Sequence, residues 1–252
     1  TQFYMTALNL LSQGDAADFL VTGIWAKKAL AEASRVGDGW AAWDDSDNGF
    51  KSVPNDDEYS VRDDAEYLHY TSNNTLFGTQ FHHLPDSNGK PRVVDASSDI
   101  CGAPLDVSKH DLIYAGAQKN LGPGGVTVVI LSPWAASRGK EGLPTMLDYQ
   151  THISKGSMFN TPNTYGIFVL DKVLSWVERN GGLEGAIQRN QKKSGLIYDM
   201  LDGSDFWRPH AGVGSRSMMN VTWRLADESL EDVFLAEAAD NGMGGLKGHR
   251  SV

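Results

Sequence analysis

The chain has 252 residues, 40% apolar and 21% charged, with 22 basic against 32 acidic side chains. That length suits one large domain, or a large and a small one, in a globular protein of ordinary composition. The net charge of −10 argues against nucleic acid as a partner, and no run of about eighteen apolar residues marks a membrane span.

The opening TQFYMTALNLLSQGDAADFL has neither the basic start nor the apolar core of a secretion signal. It lacks an initiator Met, so the expectation is a chain that starts within a longer protein. Thr22 or Gly23 is placed to cap a helix through IWAKKALAEASR, with Gly37 as its stop. From Asp38 to Glu66 acidic residues crowd around only Lys51 and Arg62, which reads as one solvated surface. The rest of the chain is then close to neutral, open to an anionic small substrate.

Four short β-branched or aromatic runs follow: EYLHY, RVVDA, LIYAGA and VTVVIL, each bounded by Asn, Gly, Ser or Pro. Where they lack alternation they suit strands covered on both faces, and with the intervening helices they give an α/β pattern. Cys101 is alone, which excludes an internal disulfide and fits a reducing, cytoplasmic compartment. It reads as a small buried side chain. The pair His82-His83 has no carboxylate or cysteine at ligand spacing and reads as loop, so no metal site is expected. Asn160-Thr161-Pro162 suits a cap and turn before a helix whose apolar positions are Tyr165, Phe168, Val169, Val173, Trp176 and Val177. Asn180-Gly181-Gly182 ends that helix. Beyond it come a charged helix (AIQRNQKKSGLIYDMLD), a strand in SMMNVTWRL, and a helix in SLEDVFLAEAADNGM opened by Ser229 and Asp232 as a capping box. The expected organisation is a large domain over 1–185 and a smaller α+β domain over 186–252.

The chemistry points to LIYAGAQKNLGPGGVTVVIL, where Lys119 sits in a Gly-rich break between two apolar runs. An ammonium there is costly unless it reaches solvent, is paired, or is used chemically. A lysine just past a strand end, beside Gly122, Gly124 and Gly125, suits imine formation with an aldehyde. If that aldehyde is pyridoxal phosphate, a carboxylate must hold the pyridine nitrogen protonated. Asp95 closes the run VVD, 24 positions earlier, and a connection and a second strand fit the interval. Both side chains would then meet at one sheet edge, where open α/β sheets bind ligands. Read singly, Asp95 is more often a turn residue or helix cap, and Lys119 a solvated surface lysine. GAQKNLG lacks the spacing and the Lys-Ser/Thr ending of a phosphate-binding P-loop.

AGAQKNLGPGG resembles the cofactor-lysine segment of phosphoserine aminotransferases, pyridoxal-phosphate enzymes of the aspartate-aminotransferase fold (class V, fold type I). VTGIWAKKA, HYTSNNTLFG, VDASSDI, GSMFNTPNT and LKGHR are similar to that family's other signature stretches, in the same order. The resemblance implies a large domain with a mostly parallel sheet flanked by helices, and a smaller α+β domain. It implies pyridoxal 5'-phosphate bound to Lys119, which also moves the substrate α-proton, with Asp95 on the pyridinium nitrogen and Trp25 stacked on the ring. Thr75 and Gln118 would bond ring or phosphate groups. Asn160 and Thr161 would reach the cofactor phosphate of a neighbouring subunit in a homodimer, and His249 and Arg250 would lie near the substrate's distal anionic group. The implied reaction moves an amino group between glutamate and 3-phosphohydroxypyruvate. Family members also carry a segment before the equivalent of Thr1, with a Gly-Arg and a His-Arg pair, and an arginine after the equivalent of Val252.

From the residues alone, Trp25 reads as a core aromatic on an amphipathic helix, Thr75 as a turn residue and His249-Arg250 as solvated side chains. Another pyridoxal-phosphate transaminase of this fold, or a non-catalytic protein that keeps the fold, would share most of these features.

Overall fold

The computed structural model describes residues 1–248. Its frame is a six-stranded sheet. Helix α1 (Gln2–Leu10) leads into β1 (Ala16–Val21), α2 (Ile24–Ala33) and β2 (Asp38–Asp44), which pairs parallel to β1. Next come β3 (Ala65–Thr71), a two-stranded hairpin of β4 (Asn73–Asn74) and β5 (Thr79–Gln80), then β6 (Arg92–Asp95), β7 (Leu112–Gly116) and β8 (Thr127–Leu131). The strand order is β2-β1-β3-β6-β7-β8; only β8 runs antiparallel, along β7 at one edge.

Side-chain alternation explains why this sheet is covered on both faces. Phe19, Val21, Tyr67, Val93, Leu112 and Tyr114 point into one core, against Met5 and Leu10 of α1 and Ala29 and Ala33 of α2. Their sequence neighbours Leu20, Leu68, Val94, Ile113 and Ala115 point into a second core with Ile100 and Leu121.

After the sheet come α3 (Pro133–Ser137), α4 (Tyr149–Ser154), α5 (Thr164–Arg179) and α6 (Gly182–Asp202). A two-stranded antiparallel pair, β9 (Trp207–Pro209) with β10 (Trp223–Leu225), precedes α7 (Glu231–Asp240). No helix of the described residues is long and apolar enough to cross a membrane.

Several expectations change. The acidic stretch after Asp38 is not only surface: it begins with β2, whose DGWAAWD pairs with buried β1. Asp18 on β1 and Asp38 both bind Arg62, at 2.7 Å each, so part of that negative charge is neutralised internally. The strand in SMMNVTWRL shrinks to Trp223–Leu225 because Ser217 turns its hydroxyl back to the N–H groups of Met219 and Asn220. The last helix has no Ser229 capping box; the Asp227 carboxylate accepts from the Ser229 N–H and hydroxyl instead. Asn163, not Asn160, caps α5, its side chain accepting from the Gly166 N–H at 3.0 Å. Cys101 is half-buried, packed against the second core from a left-handed turn with φ 59°. Gly37 does follow α2, and its need for glycine is steric: a Cβ there would stand 2.5 Å from the Asp15 carbonyl oxygen.

Candidate active site

The carboxyl ends of β1, β3, β6 and β7 converge at one edge of the sheet, the place where open α/β sheets bind ligands. Asp95 is the last residue of β6 and pairs in register with Tyr114 of β7; Lys119 follows three residues after β7 ends. The expected meeting of the two side chains thus follows directly from parallel pairing of adjacent strands. The β7–β8 connection that carries Lys119 is a tight reversal. Gly122 has φ 120° there, and a Cβ on it would press to 3.1 Å from Val173 of α5. The loop is therefore seated on α5 rather than projecting freely, with the Asn120 amide donating to the Ile100 carbonyl at 2.7 Å.

Asp95 is almost fully buried, and the Ser97 N–H donates to its Oδ1 at 3.0 Å. Burial pushes its carboxyl above the ordinary range, against the opposing pull of the Ser97 hydrogen bonds and of the Lys119 charge. Lys119 presents surface to solvent, yet enough protein surrounds its amine that desolvation lowers its proton affinity, while Asp95 and then Asp99 pull it back up. Each of the pair titrates in the direction that brings it closer to neutral pH, a pattern characteristic of groups used in proton transfer.

The Lys119 amine donates to the Thr75 hydroxyl at 2.6 Å. Thr75 in turn donates to Ser98 Oγ at 3.0 Å, and Ser98 donates to Asn220 Oδ1 at 3.2 Å. Asn73 completes the network, its amide donating to Ser98 Oγ and to Asn220 Oδ1 at 2.8 Å each. Trp25 is the second residue of α2, with its ring centroid 5.8 Å from the Lys119 amine and 4.8 Å from that of Lys28. Its indole N–H is buried without a partner, an arrangement that normally costs on the order of 1–3 kcal/mol. Gly23, which opens α2, passes so close to Asn74 that a Cβ would lie 2.5 Å from Oδ1. This holds the Trp25 end of α2 against the turn bearing Thr75.

Of the residues singled out from sequence, Lys119, Asp95, Thr75 and Trp25 therefore form one cluster. Gln118 lies beside it, exposed, its amide folded over Gly116. Asn160 and Thr161 are exposed in the stretch before α5, the Asn160 amide resting 3.2 Å from the Met146 sulfur. His249 and Arg250 lie outside the described residues. Asn73, Ser98 and Asn220 were not singled out; the signal for the first two was the density of small polar residues in TSNNT and ASSDI. His82 contacts the Arg216 carbonyl and His83 lies 3.7 Å from Asp56. Among the described residues no three His, Cys, Asp or Glu are grouped to hold a metal.

The site fits a pyridoxal-type ring by its own features: a reachable amine, a buried carboxylate, a flat indole face and an unpartnered indole N–H. The class-V aminotransferase profile matches residues 1–251. The chain belongs to the class-V aminotransferases. It is 49% identical to a phosphoserine aminotransferase of Desulfotalea psychrophila and 47% to one of Lysinibacillus sphaericus, in each case over all of this chain and 70% of the relative's length. Among solved structures it superposes on phosphoserine aminotransferase from Bacillus circulans subsp. alkalophilus with a TM-score of 0.95 at 46% identity, covering 99% of this chain and 70% of that one. Pyridoxal-phosphate-bound phosphoserine aminotransferase from Trichomonas vaginalis gives 0.90 at 29% identity, over 100% and 72%. An alanine–glyoxylate aminotransferase from Nostoc, at 16% identity and a TM-score of 0.75, shares the fold. The family's pyridoxal-phosphate-dependent transaminase chemistry agrees with the mostly parallel sheet and the lysine-bearing loop.

Proposed function

We propose that this chain acts as a phosphoserine aminotransferase. It transfers an amino group between glutamate and 3-phosphohydroxypyruvate, giving O-phospho-L-serine and 2-oxoglutarate in serine biosynthesis. The observation that carries this reading is the placement of Lys119 and Asp95 at one sheet edge by the parallel pairing of β6 and β7, in a chain nearly half identical to enzymes of that name.

When bound, pyridoxal phosphate supplies an aldehyde that condenses with primary amines and a ring that takes up the electrons released as the α C–H bond breaks. Lys119 holds the cofactor and serves as the base for the α-proton. Its lowered proton affinity leaves more free amine at neutral pH than a surface lysine has, and both tasks require the free amine. Asp95, fixed by Ser97, would be the carboxylate that pairs with the ring nitrogen and favours its protonated form. Trp25 offers a flat apolar face, and Thr75 a hydroxyl already within reach of the Lys119 amine. Gln118, exposed on the same loop, would hydrogen-bond ring or phosphate groups of the cofactor. His249 and Arg250 belong, in this reading, to the end of the site that takes the substrate's distal anionic group. The protein's contribution is orientation and placed charge.

Homodimerisation belongs to the same proposal. Met158, Phe159, Tyr165, Phe168 and Trp176 flank or follow Asn160 and Thr161, and Tyr165 is 75% and Phe168 55% exposed. An apolar surface of this kind marks an interaction site, and a second copy seated there would bring Asn160 and Thr161 to its cofactor phosphate. Phe168→Asp is expected to shift the sedimentation coefficient from dimer to monomer and to weaken cofactor retention. A dimer that persists with full retention would remove this part. Within the proposal α6 is the rod joining a large domain, 1–185, to a smaller one, 186–252. A cytoplasmic location rests on the lone Cys101 and the biosynthetic role.

The deciding experiment is a comparison of amino donors to 2-oxoglutarate on the cofactor-loaded protein. O-phospho-L-serine is expected to exceed alanine and aspartate in kcat/KM by at least about 100-fold. Equal values for the three donors would point to a different transaminase.

A further inference from the structure

The hydroxyls beside Lys119 form a chain with a direction, set by the number of protons each group holds. A hydroxyl carries one proton and two lone pairs, whereas an amide oxygen carries lone pairs only. Ser98 is 6% exposed and uses all three of its places. Its oxygen accepts from the Asn73 amide at 2.8 Å and from Thr75 at 3.0 Å, and its proton goes to Asn220 Oδ1 at 3.2 Å. Asn220 Oδ1 also accepts from the Asn73 amide at 2.8 Å. That amide is not free to turn over, because the Asn73 Oδ1 accepts from the Ser217 hydroxyl. The Ser217 oxygen accepts in turn from the Met219 and Asn220 N–H groups, at 2.9 and 3.0 Å. The far end of the chain is therefore an acceptor held in place by its own backbone.

Reversing the chain is unfavourable. If Thr75 gave its proton to the Lys119 amine, Ser98 would have to donate to Thr75. Ser98 Oγ and Asn220 Oδ1 would then face each other across 3.2 Å with no proton between them. Thr75 therefore meets the amine as an acceptor, at 2.6 Å, and is its one hydrogen-bond partner among the described residues. A neutral amine has two N–H bonds and one lone pair. Held through an N–H, it keeps that lone pair clear of the protein's donors. We propose that Ser98 and Asn220 are positioning residues of the reaction. They fix the direction of the hydroxyl chain, so that Thr75 holds Lys119 by an N–H and leaves its lone pair free to attack a carbonyl or take a proton. This deepens the functional reading above and rests on it for the task of Lys119. The competing role is structural, with Ser98 and Asn220 only tying the chain between β9 and β10 to the turn after β6. The buried carboxylates nearby have partners of their own, Ser97 for Asp95 and Ser72 with Gln80 for Asp99, and stay outside the hydroxyl chain.

The two roles separate by measuring the Lys119 nitrogen itself. In cofactor-free protein, competitive acetylation across a pH series, read on the peptide containing Lys119, gives the limiting rate constant of its neutral amine. Ser98→Ala and Asn220→Ala each let the Thr75 proton turn onto the lone pair, and each is expected to lower that rate constant by about 3- to 10-fold. Asn220→Asp restores an acceptor-only oxygen and is expected to stay near the parent, even where its melting temperature falls. In a Thr75→Val background, with no hydroxyl left to turn, Ser98→Ala is expected to change nothing further. Rate constants that match the parent in both alanine variants would overturn the proposal, as would an Asn220→Asp value as low as that of Asn220→Ala. An equal loss with and without the Thr75 hydroxyl would reduce Ser98 to a structural tie and overturn it too. Alanine variants that lose reactivity as expected, in a parent that gains no visible band with pyridoxal phosphate, would sustain the directed chain and overturn the function instead.

Discussion

Lys119→Ala is expected to lower turnover by at least about 10⁴-fold and to abolish the visible band that pyridoxal phosphate gives with the parent. The size follows from the two tasks that one amine performs, covalent attachment and α-proton transfer, for which no second amine stands within the Thr75–Ser98–Asn220 network. Fold stability should barely move. Lys119 is exposed, its amine makes a single hydrogen bond, and Thr75 keeps its bond to Ser98 when that amine is gone. Activity and melting temperature measured on one preparation therefore separate chemistry from folding. A Lys119→Ala protein that still colours and turns over at the parent rate would remove the lysine from the mechanism.

Asp95→Asn is the second large effect, and here activity and stability should diverge. The amide can still accept from the Ser97 N–H but no longer supplies a charge, so turnover is expected to fall by about 10²- to 10³-fold. The Lys119 amine should also lose proton affinity, because Asp95 is the larger of the two carboxylate influences holding it up. Stability goes the other way. Asp95 has a proton affinity raised by burial, so the stability it lends is complete below the ordinary carboxylate pKa and is lost as pH rises through the shifted value. At neutral pH the ionised form is a cost, and the asparagine variant should melt at the same temperature or higher. Such opposition is what a group kept for function at the expense of stability produces. A variant that loses stability while keeping its rate would make Asp95 a structural residue.

Much of this was legible in the sequence because the relevant signals are local. EYLHY, RVVDA, LIYAGA and VTVVIL all became strands, and the interval between Asp95 and Lys119 implied adjacent pairing, which is what β6 and β7 do. Two strands of the six-stranded sheet escaped for opposite reasons. AADFLV is wholly buried and has no alternation to mark it, while DGWAAWD is framed by carboxylates and its pairing with β1 is non-local. The antiparallel sense of β8 was likewise hidden, since strand direction depends on how the Gly122 turn reverses the chain. Lys119, Asp95 and Trp25 stood out by their chemistry. Asn220 could not, because its place beside Ser98 exists only after the chain beyond α6 has folded back onto the turn at Thr75.

That fold-back has a consequence for communication within the molecule. Asn220 ends a relay of hydroxyls that begins at the Lys119 amine, so the chain between β9 and β10 is tied by hydrogen bonds to the candidate site. A substitution that shifts that segment, such as Asn220→Ala, would therefore loosen the hydroxyl that receives the Lys119 hydrogen bond without touching the amine itself.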